Sequence, residues 1–205
     1  LIPVNGKPVI DHIIEKFLNL GIKKIYITVN YKKNIIKSYL KDQFKNTKII
    51  YIDEKKPLGT AASLNKIKIK KPKNFLVINC DTILNLNFDK FFDYHLEEKN
   101  DFTLVAAFKK IVIPYGVCEI KDKSRKLKKI NEKPTFNNLV NVGAYCFKGH
   151  LSSLIPRNKI FNMNDFIKKL IKKKYKVGIY PISEIDWQDV GEWPEYFKTI
   201  SNYQK

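Results

Sequence analysis

The stretch Phe75-Leu76-Val77-Ile78-Asn79-Cys80-Asp81-Thr82-Ile83 decides how the fold of this chain is predicted. Its apolar run is bounded by polar residues, a pattern typical of a buried strand in a parallel sheet. The run leads directly to the carboxylate of Asp81. Because open α/β sheets bind ligands outside the carboxyl ends of their strands, Asp81 is a candidate ligand for a metal ion or a phosphate.

A second acidic motif, Trp187-Gln188-Asp189-Val190-Gly191, lies near the end of the chain. Two carboxylates at strand ends can share one divalent cation, so Asp81 and Asp189 form a candidate metal site. Asp189 also has a purely structural interpretation, because an aspartate before Val-Gly favours a turn. Asp186 lies close enough in sequence to be confused with it.

Helix and strand patterns alternate around the first stretch. The residue types predict strands at 25–29, 48–52 and 75–79, and helices between Pro8 and Gly21 and at 33–44, 59–67 and 89–98. This alternation predicts an α/β fold with a Rossmann-like, doubly wound, mostly parallel sheet.

The second half of the chain has a different pattern, with strands close together. Strands are predicted at 102–108, 115–120, 126–131, 139–147 and 176–182, a turn at 121–124, and helices at 164–173 and 192–203. This half is therefore expected to be mixed or antiparallel. We predict a single domain over residues 1–205, made of a half at 1–100 and a half at 101–205.

Composition excludes some classes of protein. The chain has 205 residues and is 44% hydrophobic, enough for a real core. No apolar run reaches the roughly 20 residues that cross a bilayer, and no secretory signal is visible, so we expect no membrane insertion. The cysteines Cys80, Cys118 and Cys146 are isolated, and the latter two lie in apolar alternations. Buried free thiols and a cytoplasmic location are the expectation.

The net charge of +19 invites a nucleic-acid interpretation. However, Arg125 and Arg157 are the only arginines, and specific readers of bases and phosphates depend on the bidentate guanidinium. The lysines are also spread along the chain. We therefore expect no nucleic-acid partner, and a lysine-rich surface that attracts anionic substrates.

The segment Pro57-Leu58-Gly59-Thr60 precedes a predicted helix. Its glycine lets a ligand approach the backbone, and free N–H groups at a helix start can bind an anion or a base edge. An ordinary helix cap is the structural alternative for this segment.

Two further segments carry polar groups suited to a phosphorylated sugar. Glu132-Lys133-Pro134 ends a strand, where a glutamate can accept from hydroxyls and a lysine can neutralise a phosphate. A surface ion pair is the alternative. Asn141 lies on an otherwise apolar strand and needs partners if it is buried. The three histidines are isolated, so neither a zinc site nor a catalytic triad is predicted.

The order of these motifs resembles that of the sugar-1-phosphate nucleotidylyltransferases, over nearly the whole chain. The matching segments are Leu1-Ile2-Pro3-Val4-Asn5-Gly6-Lys7-Pro8, Pro57-Leu58-Gly59-Thr60-Ala61, Asn79-Cys80-Asp81, Pro114-Tyr115-Gly116-Val117 with Glu132-Lys133-Pro134, Val140-Asn141-Val142-Gly143-Ala144-Tyr145, and Trp187-Gln188-Asp189-Val190-Gly191. Each segment alone is unspecific, but six motifs in the right order are a strong signal.

The resemblance implies a nucleotide-diphospho-sugar transferase fold and a role for each candidate. Asp81 and Asp189 would bind Mg²⁺, and Lys133 would assist them by neutralising the sugar phosphate. The nucleotide would contact Pro57, Leu58, Gly59, Thr60 and Asp81, and the sugar phosphate Gly116, Glu132, Lys133 and Asn141. The partners would be a nucleoside triphosphate and a sugar 1-phosphate, and the chain is expected to form a homo-oligomer.

Within that family, the segments Val112-Ile113-Pro114-Tyr115-Gly116 and Asn162-Met163-Asn164-Asp165-Phe166 are most similar to guanylyltransferases acting on mannose 1-phosphate or a related sugar 1-phosphate. GTP is thus the expected nucleotide. Uridylyl-, thymidylyl- and cytidylyltransferases share the scaffold and stay open as alternatives.

Two departures from the family pattern qualify the resemblance. The Gly-Gly-x-Gly-Thr-Arg-Leu loop, which would lie before Leu1, is not in these residues, so we expect the domain to be N-terminally incomplete and inactive or very weak as it stands. Cys80 also replaces the usual glycine before Asp81. The rivals are a non-catalytic sensor of nucleotide sugars and, from the charge, a nucleic-acid-binding module.

Overall fold

The computed structural model describes residues 1–67, 73–121, 125–194 and 196–197, which form a mixed α/β architecture. Its α-helices are α1 (Val9–Asn19), α2 (Lys33–Gln43), α3 (Phe88–Glu97) and α4 (Met163–Lys172). Its strands are β1 (Pro3–Val4), β2 (Lys7–Pro8), β3 (Lys24–Val29), β4 (Lys48–Asp53), β5 (Asn74–Ile78), β6 (Thr82–Leu84), β7 (Phe102–Val112), β8 (Val117–Lys121), β9 (Lys126–Asn131), β10 (Thr135–Lys148), β11 (Val177–Ile182) and β12 (Trp187–Asp189).

The first half packs two helices on a parallel pair of strands. β3 and β4 run parallel, as the strand–helix–strand pattern predicts. Helix α1 buries Ile13, Ile14 and Phe17, whose spacing places them on one helical face. This face shares a core with β3 and with Leu40 of α2. Before α1, the β1–β2 hairpin turns through Asn5 and Gly6, both with positive φ, as a two-residue turn requires.

A four-stranded sheet in the order β11-β7-β10-β5 joins β5 of the first half to three strands of the second half. Among the described strands of this sheet, β11 and β7 run parallel, and β10 pairs antiparallel with both β7 and β5. Packed aromatic rings of Phe102, Phe147 and Phe166 fix α4 on one face of this sheet. On the other face, α3 contributes Phe88 and Phe91 to a separate core cluster.

Strand β5 differs from its prediction as a buried parallel strand. Its partner among the described strands is β10, in antiparallel register from Ala144↔Ile78 to Lys148↔Asn74, and its residues are half-buried. An apolar run predicts a strand, but its direction is set by the partner that folding brings alongside. The mixed character expected of residues 101–205 therefore extends to β5.

Strand β10 is interrupted where it passes the end of β5. Its pairing with β7 shifts register between Asn141 and Tyr145. Gly143 adopts a φ of +81° within this bulge, a conformation that glycine adopts without strain. We call residues 141–145 the β10 bulge.

Several local predictions need correction or lie outside the described residues. The segment predicted as a helix at 59–67 forms a 3-10 helix only at Ala62–Lys66. Cys146 is buried as expected, whereas Cys118 is exposed because it lies on the open β8–β9 hairpin. Most of the turn predicted at 121–124, and the end of the helix predicted at 192–203, fall outside the described residues. Within the described part, every helix falls short of the length and hydropathy that a membrane span requires.

Candidate active site

The structure brings the carboxylates of Asp81 and Asp189 together. Asp81 precedes β6, and Asp189 ends β12, which pairs antiparallel with β6. A Cβ placed on Gly191 would lie 3.1 Å from Asp81 Oδ2 and 3.3 Å from Asp189 Oδ1, so both carboxylates converge on this glycine. The Gly191 N–H donates to Asp189 Oδ1 at 2.9 Å, and the Val190 N–H donates to the Asp81 carbonyl at 2.9 Å.

The two carboxylates repel each other electrostatically. Asp81 keeps an exposed side chain, yet the protein packed around it excludes part of its water. This burial, with the nearby charge of Asp189, raises the pKa of Asp81 above its ordinary value. A divalent cation between the carboxylates would remove this repulsion. Among the described residues no cluster of three or more candidate ligands occurs. A pair of carboxylates completed by substrate oxygens is the donor set that suits Mg²⁺.

The loop at residues 57–60 is held by the start of α4. The Phe161 N–H donates to the Leu58 carbonyl at 2.7 Å, and the Met163 N–H donates to Thr60 Oγ1 at 2.9 Å. Gly59 has a φ of +92°, and a Cβ there would lie 2.5 Å from Asn162 Oδ1. The glycine is therefore required by close backbone packing as well as by its conformation.

Asn141 lies in a network of polar side chains at the β10 bulge. Its amide Nδ2 donates to the Tyr145 hydroxyl at 3.0 Å and to Asn164 Oδ1 at 3.2 Å, while its Oδ1 accepts from the Gly143 N–H at 3.1 Å. Burial raises the pKa of Tyr145. The Asn79 N–H donates to the Gly143 carbonyl at 2.8 Å, and this bond joins the β10 bulge to the segment that leads to Asp81. Asn141 itself stays exposed, as a ligand contact requires.

Gly116, Glu132 and Lys133 form a separate group on the open hairpin. A Cβ on Gly116 would lie 3.0 Å from Glu132 Oε2, so these two residues are neighbours. Lys133 is exposed and has a φ of +42°. Within the described part of the chain, no hydrogen bond or ion pair joins Glu132 or Lys133 to the acidic pair.

Sequence reasoning assigned no individual role to several residues that support the candidates. Thr82 is buried beside Asp81, and Asn79 lies against Gly143. Asn162 holds the 57–60 loop, and the pattern Asn162-x-x-Asp165 was a readable signal, because it is typical of a helix cap. Glu54 is only 8% exposed at the end of β4 and accepts from Ser63 Oγ. No sequence pattern distinguished Glu54 or Thr82 from their neighbours.

Comparisons with known proteins agree with this arrangement. A family model described as nucleotidyl transferase matches residues 1–205. The bifunctional protein GlmU of Methanocaldococcus jannaschii is 34% identical over 200 residues, which cover 93% of this chain and 45% of that protein. The D-glycero-alpha-D-manno-heptose 1-phosphate guanylyltransferase of Campylobacter jejuni is 28% identical, over 98% of this chain and 88% of that one.

Solved structures show the same fold. The crystal structure of HddC from Yersinia pseudotuberculosis superposes with a TM-score of 0.73 at 24% identity, over 98% of this chain and 88% of that chain. The predicted nucleotide-diphospho-sugar transferase fold is therefore confirmed. The chain spans about half the length of the GlmU relative.

Proposed function

We propose that this chain, which belongs to the nucleotidyl transferase family, transfers a nucleoside monophosphate from a nucleoside triphosphate to a sugar 1-phosphate. The observation that carries the proposal is the convergence of Asp81 and Asp189 on Gly191, together with the bond that joins the segment before Asp81 to the β10 bulge. The products would be a nucleotide sugar and pyrophosphate, for use in cell-surface glycan synthesis.

The reaction is an in-line displacement at the α-phosphorus. An oxygen of the sugar phosphate forms a bond to this phosphorus, the bond to the β-phosphate oxygen breaks, and the electron pair leaves with pyrophosphate. The nucleophile is already an anion, so no strong general base is needed. Catalysis therefore depends on orientation and on neutralising charge. Mg²⁺ held by Asp81 and Asp189 would neutralise phosphate charge when bound.

The remaining residues would position the substrates. Residues 57–60 would contact the base, because the positive φ of Gly59 and the packing of the loop on Asn162 hold it in one conformation beside the start of α4. Asn141 would hold a sugar hydroxyl, since it is exposed and already oriented by Tyr145 and Asn164. Glu132 would hold another hydroxyl beside Gly116, and Lys133 would neutralise the sugar phosphate.

GTP is the proposed nucleotide, and a manno-configured sugar 1-phosphate is the proposed acceptor. The name of the Campylobacter jejuni relative supports both choices. A cytoplasmic location and a homo-oligomeric state stay predictions.

The test is a pyrophosphate-release assay on the full-length protein. Each of the four triphosphates is combined with a panel of sugar 1-phosphates and MgCl₂, and chelation by EDTA serves as the metal-free control. We expect release to be fastest with GTP and a manno-configured sugar, and to stop with EDTA. Nucleotide-sugar binding without turnover in any combination would instead support a non-catalytic sensor.

The acidic pair gives the sharpest mutational prediction. Asp81→Asn and Asp189→Asn, which keep side-chain size but remove a charge, should each lower turnover by roughly 10²–10³-fold. Asp186→Asn is the matched control, because Asp186 lies near in sequence but accepts from Asn85 Nδ2 at 3.2 Å, outside the pair. Near-normal turnover by both Asp81→Asn and Asp189→Asn would remove the metal assignment.

A further inference from the structure

Thr82 is a buried polar residue where three strands meet. It is 4% exposed and directly follows Asp81. Its hydroxyl donates to the Val142 carbonyl at 3.0 Å and accepts from the Trp187 Nε1–H at 3.4 Å. The hydroxyl thus links its own strand β6 to β10 on one side and to β12 on the other.

The segment that carries Asp81 is fastened at both ends to the β10 bulge. Before Asp81, the Asn79 N–H donates to the Gly143 carbonyl at 2.8 Å. After Asp81, the Thr82 hydroxyl donates to the carbonyl of Val142. Two consecutive carbonyls of the bulge therefore hold the two sides of Asp81. The first bond uses only the backbone, whereas the second depends on a side chain.

Thr82 is also the cross-strand neighbour of Asp189. In the β6–β12 pair, Thr82 and Asp189 are directly opposite each other. A shift of Thr82 would therefore displace both carboxylates, because Thr82 is the chain neighbour of Asp81 and the strand partner of Asp189. Asn141 Oδ1 accepts from the Gly143 N–H in the same bulge. The hydrogen bonds that hold the Asp81 segment therefore connect to the candidate sugar contact as well.

We propose that the Thr82 hydroxyl is a positioning group that fixes the separation of Asp81 and Asp189 for a divalent cation. The proposal rests on the proposed function for the identity of that site. Without the hydroxyl, the Val142 carbonyl and the Trp187 N–H lose a partner inside the protein, and β6 can shift relative to both neighbours. Groups that orient metal ligands typically change metal affinity or activity by about 10–100-fold when removed.

The test measures binding of Mn²⁺ alone, as a paramagnetic substitute for Mg²⁺, to the full-length protein without substrates. Free Mn²⁺ is quantified by electron paramagnetic resonance during a titration. Thr82→Val removes the hydroxyl and keeps the shape, whereas Thr82→Ser keeps the hydroxyl. Thr103→Val is the matched control, because Thr103 is fully buried on β7 and its hydroxyl contacts His95 and Asn100 instead.

We expect Thr82→Val to weaken Mn²⁺ binding by about 10-fold, and Thr82→Ser to restore it to within about twofold. Thr103→Val should lower stability while leaving Mn²⁺ affinity unchanged. Equal Mn²⁺ affinity in wild type and folded Thr82→Val, or no Mn²⁺ binding by the wild type, overturns the proposal. If Thr82→Val does not fold, Trp187→Phe removes one bond to the same hydroxyl, and roughly threefold weaker binding is expected; unchanged binding there also overturns it.

The same proteins assayed for pyrophosphate release separate this inference from the proposed function. A wild type that binds Mn²⁺ with the predicted Thr82 dependence but releases no pyrophosphate contradicts the transfer reaction and supports the positioning role. A wild type that releases pyrophosphate, with Mn²⁺ affinity unaffected by Thr82→Val, supports the reaction and contradicts the positioning role.

Discussion

At the scale of single residues, His95 is a buried titratable group remote from the acidic pair. It is 1% exposed on α3, and its Nδ1 lies 2.8 Å from Thr103 Oγ1. Its Nε2 is buried and has no hydrogen-bond partner among the described residues. Burial lowers the pKa of His95 below its ordinary value. The Lys148 charge acts in the same direction, and Asp101 opposes it.

His95 should make stability depend on pH. The unfolded chain, with an ordinary histidine pKa, binds a proton more readily than the folded protein. The contribution of neutral His95 to the free energy of unfolding is therefore fully present above about pH 6.5. It declines as the pH falls toward the lower pKa of the folded state. Urea unfolding should give a lower free energy of unfolding at pH 5.5 than at pH 7.5, and this loss should be absent in His95→Gln. His150→Gln, which removes an exposed imidazole, should keep the wild-type loss; an identical loss in both variants would exclude His95 as its source.

The candidate residues differ in how far sequence alone could identify them. Asp81 was predictable because an apolar strand leads directly to it, and Asp189 because it lies in a motif of the same family order. Thr82 and Glu54 were not, since nothing local marks a threonine whose partner lies on a distant strand or a glutamate whose partner, Ser63, lies on the following 3-10 helix. Their importance comes from contacts such as that between Thr82 and Val142, which only tertiary structure provides.

At the scale of elements, the 57–60 loop and α4 form one packed unit. Gly59→Ala should lower the free energy of unfolding by about 2–3 kcal/mol, because the new Cβ meets both a positive φ and the Asn162 side chain. It should also raise KM for the triphosphate. Gly21→Ala is the control, since Gly21 has a φ of +71° but no heavy atom within 4 Å of the position that a Cβ would occupy. Chemical unfolding and steady-state kinetics measure both effects.

If Gly59→Ala costs no more stability than Gly21→Ala, the close packing of the loop on α4 is wrong. If stability falls but KM for the triphosphate is unchanged, the loop is a structural cap rather than a base contact. These two results thus distinguish a helix cap from a base-binding loop, the two interpretations that the residue types at 57–60 allow.

Most elements were predictable from local pattern, and their pairing was not. Helix α2 and strand β9 lie within one residue of their predicted bounds. The residue spacing of α2 specifies one helical face, and that of β9 specifies an exposed strand. The direction of β5 depended on which strand lay beside it, and the β10 bulge depended on Gly143 meeting Asn79. Strand β6 was missed, and β12 entered the prediction only as the strand end assigned to Asp189, because each strand has too few residues to show a period.

At the scale of the whole molecule, the net charge of +19 should accelerate binding of anionic substrates. Exposed lysines act over about 10 Å at 0.1 M salt and less at higher salt. We expect kcat/KM to fall by roughly 3–10-fold between about 50 and 300 mM KCl, with little change in kcat. Sucrose at equal osmolality is the control. Salt-independent kcat/KM would show that the lysines contribute only solubility.

The first turn of α4 has a consequence for how the two proposed substrates would bind. Asn162 touches the loop at 57–60, and Asn164, two residues later, touches Asn141. A base bound at residues 57–60 and a sugar bound at Asn141 would therefore both act on the start of α4, through Asn162 and Asn164 respectively. Binding of the base would then change the affinity for the sugar, and binding of the sugar would change the affinity for the base by the same factor.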